Sequence, residues 1–348
     1  MSACCFLIPG DWNTPTGGYT YDRRLVQAMR EAGWRVDVLS LSGPWPHPDA
    51  AALAAAEASV ASLADGTLVV VDGLAFGALD GLAARHARRL RWVALVHHPL
   101  HLETGLTETT RQQLRELETR ALHHTRRVVV TSESTALDVA AMGVPSPKIA
   151  VVEPGTDPVA MASPPAPQDG PLRLLCVATL TPRKGHALLL QALTGLTHLD
   201  WTLHNVGSGT RDPDTAATLK MLAAPLGERV QWHGEVDAQA LHAHYAAADV
   251  LVLPSLHEGF GMVVTEAIAH GLPVVASDAG ALAQTLPPDA GLQVPAGEVA
   301  PLQAALARVL SDPALREHLA AGARAAARRL PTWPQQARRF AAVLEGVA

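Results

Sequence analysis

Two carboxylates, Glu258 and Glu266, are separated by seven residues in HEGFGMVVTEAIAHG, residues 257–271, with Gly259, Phe260 and Gly261 between them. The apolar run after them should start a helix near Met262 and face a core. Packing alone gives little reason for an acid there. A buried carboxylate needs hydrogen-bond donors, and ribose or sugar hydroxyls are good ones. Backbone N–H groups from Gly259 through Met262 and Val263, left free where a helix begins, can hold a phosphate. The plainer reading of Glu266 is an acid placed favourably near a helix N-terminus.

Other chemistry follows other apolar runs. Arg183 and Lys184 precede Gly185 and a helical pattern in LTPRKGHALLLQAL. Two cations at a strand-to-helix junction suit a phosphate, and a solvated basic turn is the alternative. His97 and His98 end RWVALVHH. Side chains alternate along a strand, so at most one of the two should face a given ligand. No cysteine pair lies near them, and no metal is assigned. Gly17 and Gly18 open another helical pattern, as an anion-binding loop or an ordinary turn would. Gly207 begins Gly-Ser-Gly after WTLHNV, but position 212 is Asp. The dinucleotide fingerprint is therefore incomplete, which counts against a nicotinamide dehydrogenase.

The elements that must place these residues are short apolar runs. CCFLIP, RVDVLSL, TLVVVDG, RWVALVHH, RVVVTS and KIAVVEPG come first, then LRLLCVAT, WTLHNVG, RVQWHG, DVLVLPS and LPVVASD. They are continuous rather than alternating, which implies burial on both faces of parallel sheets. The spacing leaves room for crossover helices. The expectation is two doubly wound α/β domains, residues 1–165 and 166–330, joined by the proline-rich ASPPAPQDGP at 162–171. Residues 331–348 form a further helix that could pack back on the first domain. Ligands of such sheets bind beyond the carboxyl ends of the strands, so two facing domains make a cleft.

Composition agrees. The chain has 348 residues, 48% hydrophobic and 17% charged, with a formal net charge of −6. That describes a globular chain and argues against a general nucleic-acid binder. Three cysteines, two of them adjacent, suggest no disulfide framework and fit a reducing cytoplasm. No basic-then-apolar leader opens the sequence, and no run approaches a membrane span. Peripheral contact with the inner membrane face stays open, as does the oligomeric state.

The motifs in order resemble the retaining glycosyltransferases of family 4, which have the GT-B fold of two Rossmann-like domains. TGGYTYDRRLVQAM, VALVHHP, VVEPGTD, VATLTPRKGHALLLQAL and YAAADVLVLPSLHEGFGMVVTEAIAHGLPVVASDAGAL carry the resemblance. It departs at Pro154-Gly155-Thr156-Asp157, which lacks the usual Asn. The resemblance implies transfer of a sugar, expected to be a hexose, from a nucleotide-diphosphate sugar to an acceptor hydroxyl, with no cofactor and no metal. Arg183 and Lys184 would hold the diphosphate, and Gly261 and its neighbours would bind phosphate through N–H groups. Glu266 would bond the ribose and Glu258 the donor sugar. Gly17 and Gly18 would close over the phosphates, and His97 would sit at the reacting centre. The loop HHPLHLETGLTETT, with His98 and Glu103, is the acceptor side. The acceptor itself, whether small molecule, glycan or lipid, has no readable code. An epimerase of the same fold, or a decayed nucleotide-sugar-binding module, is the alternative; the first would be expected to lack the glutamate pair and the second the charged set.

Overall fold

The computed structural model describes residues 2–159 and 170–347. The chain forms two compact units, Met1–Gly155 with Pro331–Ala348, and Thr156–Leu330. The division therefore falls between Gly155 and Thr156, ahead of the expected boundary at 165/166. The physical reason is the chain just before it: β6 (Ile149–Val151) is hydrogen-bonded into the first sheet, and the carbonyl of Val152 accepts from the buried Tyr21 hydroxyl at 2.9 Å. The linker reading at 162–171 lies outside the described residues except for its last two positions.

The N-terminal unit carries β1 (Ala3–Pro9), β2 (Arg35–Leu41), β3 (Leu68–Asp72), β4 (Arg91–Val96), β5 (Arg127–Val130) and β6. Its helices are α1 (Gly17–Glu31), α2 (Ala50–Ala61), α3 (Gly73–Phe76), α4 (Asp80–His86), α5 (Glu108–His123) and α6 (Glu133–Ala141). All strand pairs are parallel, in the order β2-β1-β3-β4-β5-β6. The order reverses between β1 and β3, so the loops after these two strands lead to opposite faces and leave a crevice.

The other unit carries β7 (Leu172–Val177), β8 (Trp201–Val206), β9 (Val230–Gly234), β10 (Val250–Leu253), β11 (Val274–Ser277) and β12 (Gly291–Val294). Its helices are α7 (His186–Thr194), α8 (Pro213–Ala223), α9 (Ala238–Ala247), α10 (Met262–Ala269), α11 (Leu282–Thr285), α12 (Val299–Ser311) and α13 (Pro313–Ala327). The order is β12-β11-β10-β7-β8-β9, again parallel, with the reversal between β7 and β10. Alternate residues serve two cores. Leu174, Cys176, Val250 and Val252 pack on one face, and Leu175, Leu251 and Leu253 on the other. This two-sided burial is what the continuous apolar runs demand.

Helix α14 (Trp333–Glu345) returns to the N-terminal unit and packs on α1. Phe340 meets Phe6 with ring centroids 6.0 Å apart, and Trp333 meets Tyr21 edge-on at 5.7 Å. All three cysteines are buried free thiols. Among the described residues, no helix is long and apolar enough to cross a membrane.

Candidate active site

Each unit gathers charge at its own topological switch point. In the C-terminal unit the loops after β7 and β10 are stitched together. Leu256 N donates to Arg183 O at 2.7 Å, and Arg183 Nη1 donates to His257 O at 2.8 Å. The turn Pro182–Lys184 ends at Gly185, whose φ of +70° is left-handed, and a Cβ there would lie 2.0 Å from the carbonyl oxygen of Pro254. Only glycine permits so close a crossing. It brings Lys184 onto Glu258, with Nζ donating to Oε1 at 2.6 Å. Ser255 Oγ donates to the same oxygen at 2.6 Å, and Arg183 Nη1 stands 3.6 Å from Oε2.

Glu258 is buried, which by itself would raise its pKa. The charges of Lys184 and Arg183, with the hydrogen bonds from Lys184 and Ser255, outweigh burial and hold it down at about 2. Two cations against one carboxylate leave one excess positive charge for an anion. Beside them Gly261, at φ +88°, is the N-cap of α10 and has no side chain to cap its first N–H groups. Met262 and Val263, the first residues of the helix, are partly exposed, so their N–H groups suit an anionic ligand. Gly259 and Phe260 form the turn before it, where Thr285 Oγ1 donates to Phe260 O at 2.7 Å. Gly207 directly follows β8.

Glu266 lies in the second turn of α10 and accepts from the Tyr245 hydroxyl at 2.7 Å. Burial raises its carboxyl, the Tyr245 bond lowers it, and the charge of Asp157 raises it again, for a net rise. Further hydroxyl donors would stabilise the ionised form.

In the N-terminal unit Gly17 and Gly18 are the first residues of α1, capped by Thr16, whose hydroxyl accepts from Tyr19 N. A Cβ on Gly18 would lie 3.4 Å from Cδ2 of His97, so the glycine loop and the imidazole are neighbours. β4 ends at Val96, and His97 and His98 lie past it in a bend. The expectation that strand alternation separates the two does not apply there, because neither is in the strand. His97 is distinguished instead by its partners. Its Nε2 is 3.1 Å from Asp22 Oδ1 and 3.7 Å from Asp72 Oδ2, and Tyr21 meets its ring edge-on at 5.1 Å. Glu103 follows the short turn Leu100–Leu102 and accepts from Thr104 N.

Sequence reasoning missed Asp22 and Asp72. Asp22 sits inside a helix next to two arginines and reads as a solvated face, yet it is fully buried. Asp72 was legible: an acid ending the continuous apolar strand TLVVVD, at a carboxyl end. Its Oδ1 caps Leu74 N at 2.7 Å. Burial, then the charge of Asp22, push the Asp72 carboxyl up to about 8, which favours its protonated form beside Asp22. Burial lowers the His97 pKa, but Asp22, through charge and hydrogen bond, and then Asp72 more than reverse this, and it ends raised. The three donor atoms lie within 4.8 Å of one another, a spacing that a metal could also use.

Residues 161–326 match the family described as glycosyl transferases group 1, and residues 15–159 match glycosyltransferase family 4. A phosphatidyl-myo-inositol mannosyltransferase of Mycobacterium leprae is 38% identical over 171 residues, 48% of this chain and 44% of the relative. An MMP alpha-(1->4)-mannosyltransferase of Mycolicibacterium hassiacum is 30% identical over 273 residues, 73% of this chain and 64% of the relative. The matches span about half the length of these curated relatives. Among solved structures, sucrose-phosphate synthase from Thermosynechococcus elongatus superposes with a TM-score of 0.80 at 24% identity, covering 99% of each chain. Anabaena HepE in complex with UDP-glucose gives 0.79 at 19% identity, covering 98% of this chain and 99% of its own. With two parallel six-stranded sheets and two family matches that run in succession along it, the chain belongs to the group 1 glycosyltransferases of the GT-B fold.

Proposed function

We propose that this chain is an enzyme that moves a sugar, a hexose, from a nucleoside diphosphate sugar to an acceptor hydroxyl, with retention of configuration and without a metal cofactor. One observation carries the reading: Lys184 and Arg183 close on Glu258 beside the uncapped start of α10, with Glu266 in its second turn. As the bond from C1 to the diphosphate oxygen breaks, positive charge grows on the sugar ring and negative charge on the diphosphate. The fixed cations and helix-end N–H groups meet that negative charge, as a divalent ion would in other active sites. The acceptor oxygen bonds C1 on the face the diphosphate leaves, and its proton passes to a departing phosphate oxygen. Glu266 accepts from ribose hydroxyls, Glu258 contacts the donor sugar, and Gly17, Gly18 and Gly207 lie along the phosphates. His97, its imidazolium favoured by Asp22, acts at the sugar.

Two relatives are named as GDP-mannose-dependent, and HepE is complexed with UDP-glucose. The test is therefore transfer and slow hydrolysis across a panel of guanosine, uridine and adenosine diphosphate sugars. The product anomer is read by NMR, with and without EDTA. Matching anomers and a rate held in EDTA support the reading. An inverted anomer overturns retention, and an epimer formed without acceptor overturns transfer. A relative named for phosphatidyl-myo-inositol makes a lipid hydroxyl, and peripheral membrane contact, worth including among acceptors.

A further inference from the structure

Outside the donor site, three imidazoles from separate elements meet. His204 on β8, His233 on β9 and His244 on α9 each bring one ring nitrogen within 4.8 Å of the others. The edge strand β9 is irregular there. Asn205 pairs with Trp232 and Val206 with Gly234, so His233 is the extra residue of a bulge. A bulge re-aims a side chain. This one sets His233 Nε2 3.0 Å from His204 Nδ1, with the two ring planes 3° from parallel. The His233 and His244 ring centroids are 4.4 Å apart. The other nitrogen of His204, Nε2, is 3.3 Å from Thr202 Oγ1. Ligand histidines use such an outer partner to fix the tautomer, and here it leaves Nδ1 turned to the cluster. His204 is buried while His233 and His244 are partly exposed, so an ion could enter from solvent.

We propose that His204, His233 and His244 form a site for one borderline transition-metal ion such as Zn²⁺, with water completing its coordination. The set contains no carboxylate, and the positive charge of Arg173 bears on all three rings. A hard cation held by charge, such as Mg²⁺ or Ca²⁺, is therefore disfavoured. An ion that bonds strongly to imidazole is not. Burial is the largest cause of a lowered pKa at each of the three, the direction that favours the neutral ring. Of the ten residues of α9 only Tyr245 is fully buried, and Tyr245 is the residue that bonds Glu266. A metal on His244 would tie this thinly anchored helix to β8 and β9.

The experiment titrates untagged protein with Co²⁺, read by its visible absorption, and with Zn²⁺ against a chromophoric chelator. One saturable equivalent is expected in the wild type. His233→Ala and His244→Ala change the two partly exposed rings, leave His204 in place, and should each abolish it. Thr202→Val should weaken it about tenfold or more, as loss of an outer partner does. His242→Ala, which removes the separate His242–His270 pair, should leave it unchanged. Absence of a saturable equivalent overturns the proposal and leaves an imidazole pair sharing one hydrogen. Binding that survives in the His233→Ala/His244→Ala double variant, or that Mg²⁺ displaces, overturns it as well.

Discussion

The two units solve the same problem in opposite ways. Each buries a carboxylate at the reversal of its strand order, Glu258 in one and the Asp22–Asp72 pair in the other. Glu258 is neutralised by fixed cations, Lys184 and Arg183, and stays ionised. The aspartates face no such fixed cation: the Asp72 carboxyl is pushed up towards its protonated form, and the His97 ring stands against both. Cations fixed on a loop give a site whose charge is constant near neutral pH. A proton and an imidazole give one that titrates. Stabilising a leaving diphosphate needs the first kind, and acting on a sugar as charge shifts can use the second.

Removing a cation tests this most strongly. Lys184→Ala leaves Glu258 buried with Arg183 as its nearby cation and the Ser255 hydrogen bond, and breaking a buried pair costs about 3–5 kcal/mol. Urea unfolding should show a loss near the lower figure, because Lys184 is partly exposed. Glu258→Gln added to it should recover part of the loss. A single variant that loses under about 0.5 kcal/mol would mean that the pair is no more than a surface contact. In kcat/KM the loss should be about 10–100-fold.

His97→Ala is expected to lower kcat about 10²-fold, the range for one positioned group, with nucleoside diphosphate affinity little changed. His98→Ala should do less. If His98 proves the more damaging, the Asp22 contact has marked the wrong imidazole.

The third prediction is a pH signature of opposite sign in the two units. Asp72 has its folded pKa raised from 3.8 to about 8, so its protonated form is favoured by folding. That contribution is complete below the unfolded value and is lost as pH rises through the window between the two values, at up to about 1.4 kcal/mol per pH unit. Glu118, buried and raised to about 8, adds to the same trend. Glu258 behaves in reverse: its contribution is present above 4.5 and is lost as pH falls towards about 2. Melting temperature measured against pH should show both limbs. Asp72→Asn keeps the cap on Leu74 and should flatten only the upper one. An unchanged upper limb would show that Asp72 does not hold the proton.

Glu266→Gln should have the smallest effect, about tenfold weaker nucleoside diphosphate binding by calorimetry, since the Tyr245 bond and the shape remain. Equal preference for ribo and 2′-deoxy donors in variant and wild type would remove Glu266 from the ribose.

How far these features could be read from the sequence follows from the range of the interactions. Eleven strands announced themselves as apolar runs, the central ones because burial on both faces writes itself into consecutive residues, whereas the sheet-end strands β2, β6 and β9 are partly exposed. β12 did not: GLQV is short, lies at the sheet edge, and mixes Gly and Gln with apolar residues. The Glu258 and Lys184 segments were legible because each is a local pattern of charge, glycine and helix start. Their mutual pairing was not, since it depends on two loops crossing at Gly185. Asp22 was hidden for a similar reason, its burial being created by residues distant in sequence. The histidines at 204, 233 and 244 have no motif spacing, and a one-residue bulge is invisible in composition.

The return of α14 to the first unit has a consequence in time. Trp333 and Phe340, which pack on Tyr21 and Phe6, are translated after the whole of residues 156–330. The unit whose strands leave the ribosome first thus lacks part of its core until residues 333–340 have followed the whole of the second unit. The usual order of N-terminal domain first is inverted at this step. The later-made unit has all its residues earlier and can close while the first is still waiting.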